Sequence, residues 1–128
     1  MYLGHLKENG FIGAFVDDDG DVQFKYEAKT YYIAVDENDL QFFRVVLANI
    51  WSIDDEKEGL YAIMACNQAS NRTKVAKAYV ANGNVLISTE IFVNQPEDFK
   101  GVFMRTLSVI GTCKGHYVTE MNKFSAAE

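Results

Sequence analysis

The dipeptide Asn82-Gly83 stands between two apolar segments and determines how residues 73–93 can fold. The alanines of residues 73–81 would also suit a helix. Asn-Gly, however, is the preferred loop of a two-residue type I′ hairpin, because both of its positions adopt a positive φ. We therefore predict that residues 75–80 and 85–93 form an antiparallel β-hairpin.

A second group of turn residues, Asp17 to Asp21, begins a series of short strands. It contains an Asp-Gly pair and separates the apolar residues 11–16 from residues 22–26, in which apolar and polar side chains alternate. The alternation returns in residues 31–35, after a tight turn at Ala28-Lys29. A period of two is typical of half-buried strands, so three strands are predicted here.

Residues 40–51 form the most apolar segment, and their β-branched and aromatic side chains favour a strand. Both faces of this strand are largely apolar, so either it is central in the sheet or a second subunit covers one face. Arg44 interrupts the segment, where an unpaired charge would be costly. It therefore either pairs with an acidic residue on a partly solvated face or lies in an interface or ligand groove. Trp51 is either a core residue beside the following helix or an exposed contact residue.

Three further segments carry helical signals. Residues 2–9 predict a helix of about two turns that stops at Asn9-Gly10. Ser52 can cap a second helix that runs to about residue 71. Its periodic residues are Leu60, Ile63, Met64, Asn67 and Ser70. A third helix, of roughly 27 residues and about 40 Å, has Pro96 in its first turn. Its apolar stripe consists of Phe99, Phe103, Leu107, Ile110, Cys113, Tyr117, Met121 and Phe124.

The predicted order of elements is α-β-β-β-β-α-β-β-α. It describes an α+β fold in which helices flank a mostly antiparallel β-sheet. The length of 128 residues fits one domain, residues 1–128, which needs no disulfide or metal to fold. Cys66 and Cys113 stand alone in separate helical patterns and are expected to be buried, reduced thiols.

The charge of the chain argues against two classes of partner. The formal net charge is −6, and residues 1–40 hold nine acids against three bases. Nucleic acids and anionic membranes would both require a basic patch, so neither is expected as a partner. No signal-peptide pattern and no apolar run of membrane-spanning length occur, and a cytoplasmic location is expected.

The residues that carry chemistry do not assemble into a recognisable site. The acidic loop of residues 17–21 lacks the ligand spacing of a calcium loop. Cys113 and His116 lie three residues apart, but zinc sites need three or four protein ligands. No nucleophile has an evident base and orienting acid. We therefore expect a protein that is not an enzyme, with no catalytic residue, no metal ligand and no cofactor.

Several segments resemble the bacterial YbjN-like family. They comprise residues 19–27, 30–33, 42–44 and 49–51, Asn67 with residues 73–77, and Pro96-Glu97-Asp98-Phe99. The resemblance covers about residues 2–124 and rests on turns, strands and caps. It implies a fold similar to that of type III secretion chaperones, which are commonly dimers that bind extended protein segments. It also implies a role as a regulator of sensory transduction, and it supplies no catalytic motif.

Two functional hypotheses follow. In the first, the chain is a protein-interaction or regulatory module, a homodimer whose sheet binds a second copy or a protein segment. The residues expected at that surface are Tyr32, Phe42, Arg44, Val46 and Trp51. In the second, the sheet and the long C-terminal helix enclose a small-molecule pocket, with Arg44 as its polar anchor. The residues expected to line that pocket are Tyr31, Tyr32, Phe42 and Phe103.

Overall fold

A computed structural model describes residues 1–127 and has the predicted α+β architecture and element order. The helices are Tyr2–Glu8 (α1), Glu56–Arg72 (α2) and Phe99–Ala127 (α3), and a 3₁₀ turn, Pro96–Asp98, precedes α3. The strands are Phe15–Val16 (β1), Val22–Tyr26 (β2), Lys29–Ala34 (β3), Phe42–Ser52 (β4), Ala76–Ala81 (β5) and Asn84–Phe92 (β6).

The six strands form one antiparallel sheet in the order β1-β2-β3-β4-β6-β5. The apolar strand β4 is therefore central, which was one of the two alternatives for residues 40–51. The hairpin loop between β5 and β6 is confirmed, because Asn82 and Gly83 have φ values of 52° and 72°. The turn between β2 and β3 lies at Glu27-Ala28, one residue earlier than the predicted Ala28-Lys29, and both positions have a positive φ although neither is glycine.

Two local predictions were wrong. Ser52 does not cap α2, because β4 continues through it and the Ile53 N–H donates to the Gly83 carbonyl at 3.0 Å. The cap is Asp55, whose carboxylate accepts the Glu58 N–H at 2.8 Å. The strand predicted for residues 11–16 is reduced to the two residues of β1, because a turn after α1 uses the backbone groups of residues 11–14.

All three helices pack against one face of the sheet. The side chains of Phe43, Val45 and Leu47 point to this face, together with their cross-strand neighbours on β3 and β6. The apolar stripe of α3 lies against them, and its members from Phe99 to Met121 are buried, as the periodicity predicts. Tyr2 of α1 joins the same core through ring contacts with Phe43 and Phe99.

Helix α2 packs through its small residues rather than its large ones. The buried positions are Ala62, Ala65, Cys66 and Ala69. The periodic residues Leu60, Ile63 and Met64 point away from the core, and each is more than half exposed. Close packing through alanine brings the Ser70 hydroxyl to the outer edge of β5. There it accepts the Ala78 N–H at 2.8 Å and donates to the Ala78 carbonyl at 3.3 Å, so α2 occupies part of the free edge.

Candidate interaction surface

None of the helices in residues 1–127 covers the second face of the sheet, which we call the uncovered face. The strand register places Tyr32, Val46 and Ser88 side by side on β3, β4 and β6. The uncovered face includes Gln23, Lys25, Thr30, Tyr32, Ala34, Phe42, Arg44, Val46, Lys77, Tyr79, Leu86, Ser88, Glu90 and Phe92. Val46 and Ser88 are fully buried although they lie outside the main core. Side chains of their own face must therefore shield them.

Part of this shielding layer is a charged cluster around Glu90. The Arg44 Nε atom lies 3.1 Å and the Lys77 Nζ atom 3.0 Å from the same carboxylate oxygen, Oε1 of Glu90. Arg44 also donates from Nη2 to the Tyr79 hydroxyl at 2.9 Å. The Lys77 ammonium lies 5.7 Å from the centre of the Tyr79 ring, within the range of a cation–π contact. Arg44 is thus paired with an acid on a partly solvated face, one of the two alternatives for it.

The cluster has a clear electrostatic balance. Burial alone would raise the pKa of Glu90, but Lys77 and Arg44 outweigh it and hold the pKa below its ordinary value. Burial raises the pKa of the Tyr32 hydroxyl, although Arg44 opposes this. Glu90 is therefore ionised at neutral pH, and the cluster holds two cations for one carboxylate. It does not present strong negative charge, in contrast to the chain as a whole.

Two aromatic rings extend the uncovered face beyond the charged cluster. Phe42 and Phe92 are direct cross-strand partners, and their ring centres lie 5.7 Å apart. The Phe92 side chain is 78% exposed. Exposed rings next to a half-buried polar cluster are typical of protein contact surfaces.

The structure brings together four of the five residues predicted for the interaction surface. Tyr32, Phe42, Arg44 and Val46 share the uncovered face. Trp51 does not, because it lies on the opposite face and packs edge-to-face on Tyr117 of α3, with ring centres 5.8 Å apart. Of the two alternatives for Trp51, core residue or exposed contact residue, the structure shows the first, with the side chain partly buried. Tyr79, Glu90 and Phe92 also belong to this surface, and only the long-range strand pairing reveals them.

The pocket expected between the sheet and α3 is not formed by its predicted residues. Tyr31 and Phe103 are 1% exposed and belong to the core on the helix side. Tyr32 and Phe42 lie on the uncovered face, on the other side of the sheet. The physical reason is the pleat of a strand, which directs neighbouring residues such as Tyr31 and Tyr32 to opposite faces.

Replacement of Glu90 by glutamine tests the charged cluster. We expect Glu90→Gln to lower the free energy of unfolding by about 1 kcal/mol at neutral pH, because Arg44 and Lys77 lose their shared partner in a half-exposed site. Folding depresses the pKa of Glu90, so its stabilisation is present above the ordinary value of 4.5 and is lost as the pH falls through the folded-state pKa. Urea unfolding of both proteins as a function of pH measures this.

The matched control is Glu97→Gln, which alters an exposed carboxylate that precedes α3. It should change stability little at any pH. A stability difference between Glu90→Gln and the unaltered protein that stayed constant well below pH 4.5 would contradict the assigned role of the cluster.

The remaining chemistry-bearing groups do not extend the site. Cys66 and Cys113 are buried and free, and burial raises the pKa of the Cys66 thiol to about 12. Residues 1–127 contain no group of three or more His, Cys, Asp or Glu side chains arranged to hold a metal ion. None of the helices in that range combines the length and apolarity that crossing a membrane requires.

Comparison of the chain with models of protein families, with characterised proteins and with solved structures gave no match. The functional argument therefore rests on the residues and their geometry.

Proposed function

We propose that this chain is a protein-interaction module that forms a homodimer through the uncovered face of its sheet. The observation that carries the proposal is the composition of that face. Buried Val46 and exposed Phe92 border a charged cluster whose members pair with one another rather than with distant acids. A face whose charges are already paired can be covered by another protein surface at a lower desolvation cost than isolated charges would impose.

The area of the uncovered face is suitable for a dimer. Six strands about 4.8 Å apart, with a mean length of about 21 Å, give a plan area of roughly 600 Å². Side-chain relief makes the accessible area larger than the plan area. A standard interface buries about 800 Å² per partner, so one such face approaches the size that specific association needs.

The order of residues across the face is compatible with two-fold symmetry. One cross-strand row runs from Gln23 through Tyr32, Val46 and Ser88 to Lys77. A two-fold axis through Val46 places the Lys77 end of one copy above the Gln23 end of the other. The Gln23 amide is neutral and donates to the Asp17 carboxylate at 3.0 Å, so Lys77 of one copy does not face Lys77 of the other. Such self-complementarity favours an isologous interface.

The resemblance to the YbjN-like family supports the same proposal. The type III secretion chaperone-like fold that it implies is commonly dimeric, and the regulatory role that it implies is compatible with a protein partner. We extend the proposal accordingly: the module acts in the cytoplasm as a regulator and binds another protein rather than transforming a substrate.

The experiment compares the oligomeric state of two surface variants. At tens of micromolar, sedimentation velocity should show a dimer for the unaltered protein. Phe92→Glu should raise its dissociation constant about tenfold or more, because it places a charge within the apolar part of the interface. The single chain should remain folded, since the ring is 78% exposed in it, and only the part of the melting temperature that rises with protein concentration should be lost.

Leu60→Glu is the matched control. Leu60 is 63% exposed on α2, on the other side of the sheet, and the same substitution there should leave the dimer intact. A monomeric unaltered protein would contradict the proposal, as would a dimer that Leu60→Glu dissociates and Phe92→Glu does not.

A further inference from the structure

A cavity of about 450 Å³ opens at one end of the sheet, between β3 and β4 and beside α3. We call it the β3–β4 cavity. Its polar lining includes Lys29 and Thr30 of β3, Asn49 of β4 and Lys114 of α3. The cavity is half open to solvent, and its volume is within the range of small-molecule sites.

An irregularity in β4 accounts for the cavity. The pairing of β3 with β4 ends at Tyr31 and Leu47, so Lys29 and Thr30 have no partner on β4. Between Leu47 and Trp51 the register of β4 shifts relative to β6. Within this bulge Asn49 has a φ of 56°, in the left-handed region. Bulges bend a strand and interrupt its pairing, and they recur next to binding sites.

Two lysines meet at this cavity without an acidic partner. Neither Lys29 nor Lys114 forms an ion pair with any acid in residues 1–127, although the chain contains 18 acidic residues and 12 basic ones. Burial, and then repulsion from Lys29, lower the pKa of Lys114. Two cations that repel each other in an acidic protein are an unfavourable arrangement in the free chain, and an anion placed between them would relieve it.

Asp17 is hydrogen-bonded to the lining residue Gln23, but its carboxylate already has other partners. The Asp17 carboxylate accepts the Gln23 amide at 3.0 Å, and it also accepts the backbone N–H groups of Asp19 and Asp21. These bonds hold Asp17 in its own turn and lower its pKa. It therefore does not serve as the counter-charge of the two lysines.

We propose that the β3–β4 cavity binds a small molecule that carries a compact oxyanion, a phosphate or a carboxylate, between Lys29 and Lys114. The hydroxyl of Thr30 and the amide of Asn49 are the neutral hydrogen-bond donors of the lining. The cavity is larger than a bare oxyanion, so the remainder of the ligand occupies the part that Tyr32 and Ile50 line. Tyr32 belongs to the uncovered face as well, whereas Phe92 lies at the opposite end of β4, beside Phe42.

The test is a titration with inorganic phosphate and with succinate, at constant ionic strength, followed by NMR of the backbone amides and lysine side chains. We expect saturable shifts at Thr30, Asn49 and Lys114. The relative affinities of the two probes identify which oxyanion the site prefers. Lys29→Ala and Lys114→Ala should each weaken binding about tenfold, because each removes one charge-assisted contact.

Lys100→Ala is the matched control, because Lys100 is an exposed lysine near the start of the same helix and lies outside the cavity. It should leave the affinity unchanged. Shifts that remain linear for both probes would overturn the proposal. Equal weakening by Lys100→Ala and Lys114→Ala would overturn it too, because it would show a diffuse electrostatic effect.

The experiment distinguishes failure of this proposal from failure of the dimer proposal. The two cavity variants should sediment like the unaltered protein, and Phe92→Glu should bind phosphate as the unaltered protein does. Loss of phosphate binding in Phe92→Glu would contradict the separation of the two sites.

Discussion

Replacement of Phe103 by alanine should lower the free energy of unfolding by about 4 kcal/mol, the loss typical of a large ring removed from a tight core. Phe103 is 1% exposed. It lies on α3 at the centre of an aromatic cluster, where its ring centre is 5.5 Å from that of Phe24 and 5.8 Å from that of Phe11. The cluster also includes His5, Phe43 and Phe99. The ring thus connects α1, the turn after it, β2 and β4 to the long helix.

Urea unfolding followed by circular dichroism measures this loss, and Met104→Ala is the control. Met104 is the next residue of the same helix, is 52% exposed and should cost little. Where Phe103→Ala does not fold, Phe103→Leu provides the measurement, with an expected loss of about 1–2 kcal/mol. Equal losses at positions 103 and 104 would contradict the position of the aromatic cluster.

The sheet and the long helix could be predicted because several local signals agree. Asn82-Gly83 determines both the loop and the pairing of β5 with β6. The stripe from Phe99 to Met121 has large apolar side chains at every inward position, so its period is unambiguous. Alternation in residues 22–26 likewise corresponds to β2, where Val22 and Phe24 are buried. In each case the same residues satisfy the local preference and the packing requirement.

The composition of the interaction surface could be predicted only in part. Alternation places Val46 and Trp51, which are five positions apart, on opposite faces, and this holds because the bulge between them inserts two residues. The same rule separates Tyr31 from Tyr32, and this signal was available in the sequence. The pairing of Arg44 with Glu90 could not be predicted, because the two residues are 46 positions apart. They meet only because β6 pairs with β4 as well as with β5. Short-range patterns carry no information on that pairing.

The β3–β4 cavity was beyond sequence analysis for a different reason. It depends on a register shift near Asn49, inside a segment that is uniformly favourable for a strand. No glycine or proline marks the irregularity. Lys29 and Lys114 are also far apart in the chain, and only the tertiary fold brings them to the lining of one cavity.

Helix α2 provides the second large expected effect. Replacement of Ala65 by leucine should lower the free energy of unfolding by about 2–3 kcal/mol, because added methylene groups must displace a close-packed surface. Ala65 is fully buried, like Ala62 and Ala69 on the same face of the helix. These residues bring α2 near enough to β5 for Ser70 to bond to the Ala78 backbone. A larger residue at position 65 should push the helix outward and weaken those bonds, so hydrogen exchange at Ala78 should accelerate.

The control for α2 is Leu60→Ala, which removes a large apolar side chain and should nevertheless cost little stability. Leu60→Ala removes three carbon atoms from the same helix, but the Leu60 side chain is 63% exposed, so the free energy of unfolding should change by about 0.5 kcal/mol or less. A helix whose large apolar residues formed the core would give the opposite order: Leu60→Ala would be costly, and Ala65→Leu would be tolerated. The two unfolding free energies, measured on monomeric protein, therefore decide which face of α2 is buried. Ala76 and Ala78 on the neighbouring strand are small, so the backbones of α2 and β5 can approach closely. Only small residues of α2 fit between them, and its large residues therefore point to solvent.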